Sequence, residues 1–157
     1  MKPEEELGSL LTARCWTLAI AESCTGGLLG HTITSVPGAS TYFLGGIIAY
    51  SNATKIDVLG VPSETIQKFG AVSDRAAVGM AVGILNNFAC NFAIAITGIA
   101  GPNGGSEAKP VGTVFIAVAT EDGETVKEFH FKGDRNAIKK ASIEAALGMA
   151  CEALEAA

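Results

Sequence analysis

In the stretch AESCTGG, residues 21–27, a serine and a cysteine stand side by side where an apolar run ends and two glycines follow. Ser23 in that place sits at a strand-to-helix junction. The backbone amides of Thr25, Gly26 and Gly27 then belong to the start of the next helix, where N–H groups have no intrahelical acceptor. A hydroxyl beside such donors is what acyl transfer needs: a nucleophile and a place for an oxyanion or a phosphate. The same residues also suit a plain helix cap with tightly packed glycines, and the pattern alone does not separate the two readings. Cys24 is the rival nucleophile, because a thiol is intrinsically more reactive than a hydroxyl. No histidine lies in the neighbouring loops, however, and Cys24 reads as a core-packing residue.

A serine nucleophile needs a base. The two histidines are poorly placed for it, His31 inside a helix and His130 on a hairpin strand. Lys55, in YSNATK, follows the cap of a short helix, where the positive end of the backbone dipole disfavours an ammonium. Burial would act in the same direction and leave a neutral amine able to take the Ser23 proton, as in Ser-Lys hydrolases. Tyr50, ending the preceding strand, is placed to orient that amine or relay its proton. A third segment, TGIAGPNGG, is too rich in glycine and proline for regular structure and too long for a mere connection. Its residues Thr97, Gly98, Gly101, Gly104 and Gly105 are candidate donors to an anionic group. Arg135, at the start of the last helix, could pair with a phosphate beside them. Neither nucleotide-loop nor dinucleotide fingerprint is present. No His/Cys/Asp/Glu group has metal-ligand spacing, and a Ser-Lys mechanism requires no metal; no cofactor is expected.

The elements that must position these residues follow from periodicity. Strand and helix patterns alternate through all 157 residues, without repeat or biased linker, which predicts one α/β domain over residues 1–157. A first helix spans about Glu4 to Ala13, and CWTLAIA (15–21) reads as a strand buried on both faces, so helices must cover both sides of the sheet. A helix from Leu28 to about Ser35 leads to a second strand, STYFLGGIIAY (40–50), whose glycines indicate close packing or a bulge. Short helices follow, the first capped by Ser51 or Asn52, the second starting near Ser63. A longer helix from Ser73 puts Ala77, Met80, Ala81, Ile84 and Leu85 on one stripe ahead of the strand FAIAI. The Asp-Gly turn in EDGE joins two antiparallel strands. A last helix from about Arg135 to Leu154 buries Ile143, Leu147, Ala150 and Leu154. Three candidate segments thus fall at strand ends, where α/β sheets commonly bind ligands.

Hydrophobic residues make up 48 % of the chain and charged residues 17 %, with a net charge of −5. Such a chain is globular and, lacking a dense Lys/Arg cluster, a poor ligand for nucleic acid. Apolar stretches break before the ~18 residues of a membrane span, and the N-terminus is acidic where a signal peptide would be basic, so the chain reads as cytoplasmic. The four scattered cysteines suggest reduced thiols, and the low surface charge makes a homo-oligomer the expected assembly.

Taken together, AESCTGG, GGIIAYSNATK, GAVSDRAA, AIAITGIAGPNGGSEAKPVGTVFIAV and FKGDRNAIKKAS resemble the CinA C-terminal domain family, the nicotinamide-nucleotide amidohydrolases, over nearly the whole chain. The resemblance implies a three-layer α/β/α sandwich with a mixed sheet. It also implies hydrolysis of the carboxamide of nicotinamide mononucleotide to nicotinate mononucleotide and ammonia, in pyridine-nucleotide salvage. The family's nucleophile falls on Ser23, its supporting tyrosine and lysine on Tyr50 and Lys55, its substrate loop on residues 97–105, and its basic residue on Arg135. Asn103 stands where glycine is usual, and Asp134 and Lys139 where serine and arginine are common. Many relatives carry a further N-terminal domain; this chain resembles the free-standing members. Two other readings accompany it: a non-catalytic ligand-binding or interaction module of the same fold, and a hydrolase for another small amide or phosphorylated compound.

Overall fold

The structure, a computed structural model, describes all residues, 1–157. Its elements run α1 (Pro3–Arg14), β1 (Leu18–Glu22), α2 (Leu28–Thr34), a 3₁₀ turn (Ala39–Thr41), β2 (Phe43–Ile48), α3 (Asn52–Asp57), α4 (Ser63–Phe69), α5 (Asp74–Phe88), β3 (Phe92–Gly98), β4 (Thr113–Thr120), β5 (Gly123–His130) and α6 (Arg135–Ala156). The strands form one sheet in the order β2-β1-β3-β4-β5. β1 pairs in parallel with β2 and β3, whereas β3–β4 and β4–β5 are antiparallel. The fold is the expected α/β arrangement with a mixed sheet and an antiparallel hairpin.

Alternation along the strands builds two cores. Leu18 and Ile20 of β1 join Ile94 and Ile96 of β3 under α1, α2 and α6, while Ala19, Ala21, Ala93 and Ala95 face α5 with Met80 and Ile84. The α5 face of the sheet is thus lined with small side chains, which let that helix lie close. α5 begins at the Ser73 cap, whose Oγ accepts from the Ala76 amide at 3.1 Å. α6 begins at Asp134, which accepts from the Ala137 amide at 2.9 Å. Its buried residues include the expected Ile143, Leu147, Ala150 and Leu154.

Two strands start later than the pattern suggests. Cys15 takes a left-handed conformation (φ 54) that closes α1, so β1 begins at Leu18 and not at Cys15. The 3₁₀ turn occupies the first residues of the second apolar run, so β2 begins at Phe43. The register of β1 against β2 shifts between Leu18 and Ala19, which pair with Phe43 and Gly45 across the skipped Leu44. Gly46 meets Ile20 so closely that a β-carbon there would lie 2.4 Å from the Ile20 carbonyl oxygen. Both readings of the glycines, bulge and close approach, therefore hold in one strand.

The order 2-1-3 makes β1 the switch point of the parallel part: the chain leaves β1 through α2 to reach β2 on one side, then returns through α3, α4 and α5 to β3 on the other. In such sheets the crevice for a ligand opens beyond the carboxyl ends of the strands at that point. Glu22–Ser23, Tyr50 and Thr97–Gly98 stand there. No helix is long and apolar enough to cross a membrane.

Two glycines with contrasting room make a direct test. Gly46→Ala should cost about 1–3 kcal/mol, the range for overpacking. Gly148→Ala, in α6 with nothing within 4 Å of the added atom, should stabilise by about 0.5–1 kcal/mol. Urea unfolding of both variants measures this, and equal effects would contradict the packing.

Candidate active site

β1 presents its last residues to opposite faces. Glu22 turns towards α2 and is buried, its Oε1 accepting from the Thr25 hydroxyl at 2.6 Å and the Leu29 amide at 2.9 Å, its Oε2 from the Gly30 amide at 3.0 Å. These are donors that the first turn of α2 would otherwise leave unpaired. The carboxylate therefore ties the strand end to the helix and sets the turn between them. Gly26 and Gly27 complete that turn with φ of 59° and 107°, values that side-chain-bearing residues adopt at a cost.

Ser23, on the other face, meets Lys55. Lys55 is 1 % exposed, and its Nζ lies 2.9 Å from Ser23 Oγ while donating to the carbonyls of Ala49 at 2.8 Å and Tyr50 at 3.2 Å. α3 delivers it: Ser51 caps the helix by accepting from the Thr54 amide at 3.1 Å. The side chain then folds back to the end of β2. No carboxylate pairs with the amine. Burial lowers the Lys55 pKa below the ordinary lysine range, with a weaker opposing influence from Cys24. Of the two expected causes, burial and the helix terminus, burial is the leading one.

Cys24 is also buried, and burial pushes its thiol up to about 11, so at neutral pH it is a protonated packing group. The Gly26 amide donates to the Ser23 carbonyl at 3.1 Å and is committed to the turn. The amides of Cys24, Thr25 and Gly27 meet no acceptor within the protein. The unpaired donors of the turn are thus Cys24, Thr25 and Gly27, and not Gly26 as the sequence suggested; of these, Cys24 lines the Ser23 cavity.

Eight of the expected residues, Ser23, Tyr50, Lys55, Thr97, Gly98, Gly101, Gly104 and Arg135, line one cavity of about 250 Å³; Thr25, Gly26, Gly27 and Gly105 do not. The Tyr50 hydroxyl is not directed to the amine or the serine. It accepts from Arg135 Nη2 at 3.0 Å, and Tyr50 meets Lys55 through its main-chain carbonyl. Arg135 Nη1 donates to the Gly101 carbonyl at 2.5 Å, joining α6 to the glycine-rich loop. The Thr97 hydroxyl donates to the Ala71 carbonyl at 2.8 Å. His31 and His130 lie outside the cavity.

Sequence reasoning missed Glu22, Asn52, Ala71 and Val72, and noted Lys139 only as a departure from the family pattern. Asn52, Ala71 and Val72 line the cavity. Lys139, four residues after Arg135 and so on the same face of α6, carries its Nζ 3.8 Å from where a Gly26 β-carbon would stand. A glutamate closing an otherwise apolar strand was the available signal for Glu22. No aspartate or glutamate lines the cavity, so its formal charge comes from Arg135 and any proton on Lys55.

The family model of the CinA C-terminal domain matches residues 1–154. The chain belongs to the CinA C-terminal domain family. A CinA-like protein of Fervidobacterium nodosum is 49 % identical over 140 residues, covering 89 % of this chain and 34 % of its own length. A putative competence-damage inducible protein of Halothermothrix orenii is 52 % identical over 133 residues, covering 84 % of this chain and 32 % of its own length. This CinA domain thus spans about a third of the curated relatives it matches. Among solved structures, a competence/damage inducible protein of Agrobacterium tumefaciens superposes with a TM-score of 0.91 at 40 % identity, over 98 % of this chain and 95 % of that one. A CinA superfamily protein of Klebsiella pneumoniae superposes with a TM-score of 0.94 at 32 % identity, over all of both chains.

The buried amine of this CinA domain has a consequence for stability. With its folded pKa below its unfolded value near ~10.4, the unfolded chain holds one more proton between the two values, so stability rises with pH across that window. Below the folded value the penalty is full. Lys55→Met removes this contribution, and its unfolding free energy should climb less steeply from neutral pH towards pH 10 than that of the parent, by up to about 1.4 kcal/mol per pH unit. Urea titrations at a series of pH values check the difference; parallel curves would mean a lysine of ordinary pKa.

Proposed function

We propose that this chain hydrolyses the carboxamide of nicotinamide mononucleotide, releasing nicotinate mononucleotide and ammonia, by a Ser-Lys mechanism. The observation that carries the reading is the 2.9 Å approach of a buried Lys55 amine, without a carboxylate partner, to Ser23 Oγ. The family resemblance supplies the substrate, and the carboxylate-free lining of the cavity with Arg135 at its edge suits an anionic one.

The chemistry proceeds in two halves. Ser23 Oγ attacks the carboxamide carbon as its proton passes to the neutral Lys55 amine, and the carbonyl oxygen becomes an oxyanion received by free amides of the 24–27 turn. Collapse breaks the C–N bond, and Lys55 returns its proton to the departing nitrogen, which leaves as ammonia. The acyl ester on Ser23 is then attacked by water. Lys55 takes the water proton and passes it to Ser23 Oγ as the ester breaks, freeing the carboxylate product. Arg135 uses two of its N–H groups on Gly101 and Tyr50, and a guanidinium has five, so donors are left for a phosphate. Binding the remote phosphate positions the ring and discriminates against free nicotinamide.

Purified protein incubated with nicotinamide mononucleotide should release ammonia, and Ser23→Ala should abolish the release while Cys24→Ala retains it. The acid limb of the rate profile should fall well below the free-lysine value of ~10.4, because activity is lost as Lys55 gains its proton. Lys55→Arg should be inactive despite its charge, since a guanidinium cannot act as a base at working pH. Full activity in Lys55→Arg with an unchanged profile would move the base elsewhere; no ammonia from the parent protein would favour a binding module or another substrate.

Arg135→Ala should lower the specificity constant for the phosphorylated substrate roughly tenfold to a hundredfold, the equivalent of about 1.5–3 kcal/mol for a charge-assisted contact. The unphosphorylated riboside should be little affected by that substitution. Equal losses on both substrates would remove phosphate recognition from Arg135.

A further inference from the structure

Two unrelated pieces of chain wall the Ser23 cavity next to β3. One is the loop between β3 and β4, residues 99–112, which contributes Ile99 to Gly101, Asn103 and Gly104; the other is the connection between α4 and α5, which contributes Ala71 and Val72. Lys109 belongs to the first piece but does not line the cavity. Its Nζ donates to the carbonyls of Phe69 at 2.8 Å and Val72 at 2.5 Å. It does so beside a separate hollow of about 420 Å³, which it lines with Phe69, Asp74 and Lys127. From the β3 side, Thr97 Oγ1 donates to the Ala71 carbonyl. The 69–72 segment is therefore gripped by Thr97 and by Lys109.

The chemistry of the grip is specific. Phe69 is the last residue of α4, and carbonyls at a helix C-terminus are unpaired acceptors that favour a cation. The chain's ion pairs, Lys127–Glu152 and His130–Glu128, leave Lys109 out, so its ammonium is engaged by main-chain oxygens. The base of Lys109 is itself fixed: its amide donates to Ser106 Oγ at 3.0 Å and its carbonyl accepts from the Ser106 amide at 2.9 Å. Arg135 holds the same loop at Gly101, from α6. Between those anchors, residues 102–108 are exposed.

We infer that Lys109 is a positioning residue of the Ser23 cavity, its ammonium clasping the 99–112 loop to the 69–72 segment and so fixing how two parts of the wall stand to each other. Its effect on turnover rests on the function proposed above; the clasp itself does not. Ser23 and Lys55 are held by β1, α2 and α3, so the clasp governs substrate fit and leaves the reacting pair in place.

The test compares Lys109→Met and Lys109→Arg with the parent protein by hydrogen exchange, read by mass spectrometry on the free chain. Lys109→Met should accelerate exchange of peptides covering 99–112 at least tenfold while peptides of β1 and α2 keep parental rates. Lys109→Arg, which still donates to carbonyls, should stay within threefold of the parent. With nicotinamide mononucleotide, Lys109→Met should raise KM at least tenfold and keep kcat within threefold, with the acid limb of the rate profile unmoved. Unchanged loop exchange in Lys109→Met, acceleration spread evenly over the whole chain, or a loss confined to kcat would each overturn the inference. A parent protein inactive on this substrate would remove the proposed function, while the exchange measurement would still decide the clasp.

Discussion

Lys55 Nζ has three neighbours at hydrogen-bonding distance, and they differ in kind. The Ala49 and Tyr50 carbonyls only accept, while the Ser23 hydroxyl can accept or donate. A neutral amine fills this set with two N–H bonds to the carbonyls and a lone pair facing the serine O–H. An ammonium fills it as well, with the third N–H facing an alkoxide or its product. The proton can therefore cross the 2.9 Å gap with every polar atom paired before and after, and with no heavy atom displaced. Burial without a countercharge disfavours the ammonium and lowers the cost of the neutral state relative to a solvated lysine.

Much of the surrounding fold follows from holding that set together. The two carbonyls directly follow β2, the hydroxyl directly follows β1, and the amine comes from the helix after β2, so the site depends on β1 and β2 keeping their parallel register. That register depends on the skipped Leu44 and on Gly46, which admits the Ile20 carbonyl. Glu22 does the corresponding work on the other face. Because side chains alternate along a strand, the residue that binds the α2 amides and the residue that meets Lys55 must be neighbours, and Glu22–Ser23 are.

The elements were legible where local chemistry decides them. The Asp-Gly turn implies the β4–β5 hairpin, the Ser73 cap and apolar stripe imply α5, and the buried runs imply central strands. The pairing of Ser23 with Lys55 was legible because a base was needed and few residues could supply it. What stayed hidden depends on tertiary placement. The Tyr50 hydroxyl lies 3.0 Å from an arginine 85 positions away. Glu22 reads as a lone charge until α2 is seen above it. Lys109 reads as a loop lysine until the end of α4 arrives beneath it. The Gly26 amide is lost to the turn that the glycines themselves create. Strand starts shifted at Cys15 and at residues 39–41 because a left-handed residue and a 3₁₀ turn leave no periodic trace.

Arg135 shows how the two helical layers meet at the site. α6 covers one face of the sheet and α3 to α5 serve the other, yet the Arg135 guanidinium reaches both the glycine-rich loop and the tyrosine that ends the β2 segment. Its contacts are to a neutral carbonyl and a neutral hydroxyl, so its charge is uncompensated at the mouth of a cavity with no carboxylate. An anion placed there gains a partner without displacing an ion pair, and needs only the N–H groups that Gly101 and Tyr50 leave free. The side chain is held in place by the bonds it already makes, so little ordering remains when a ligand arrives, and that is what preorganised recognition requires.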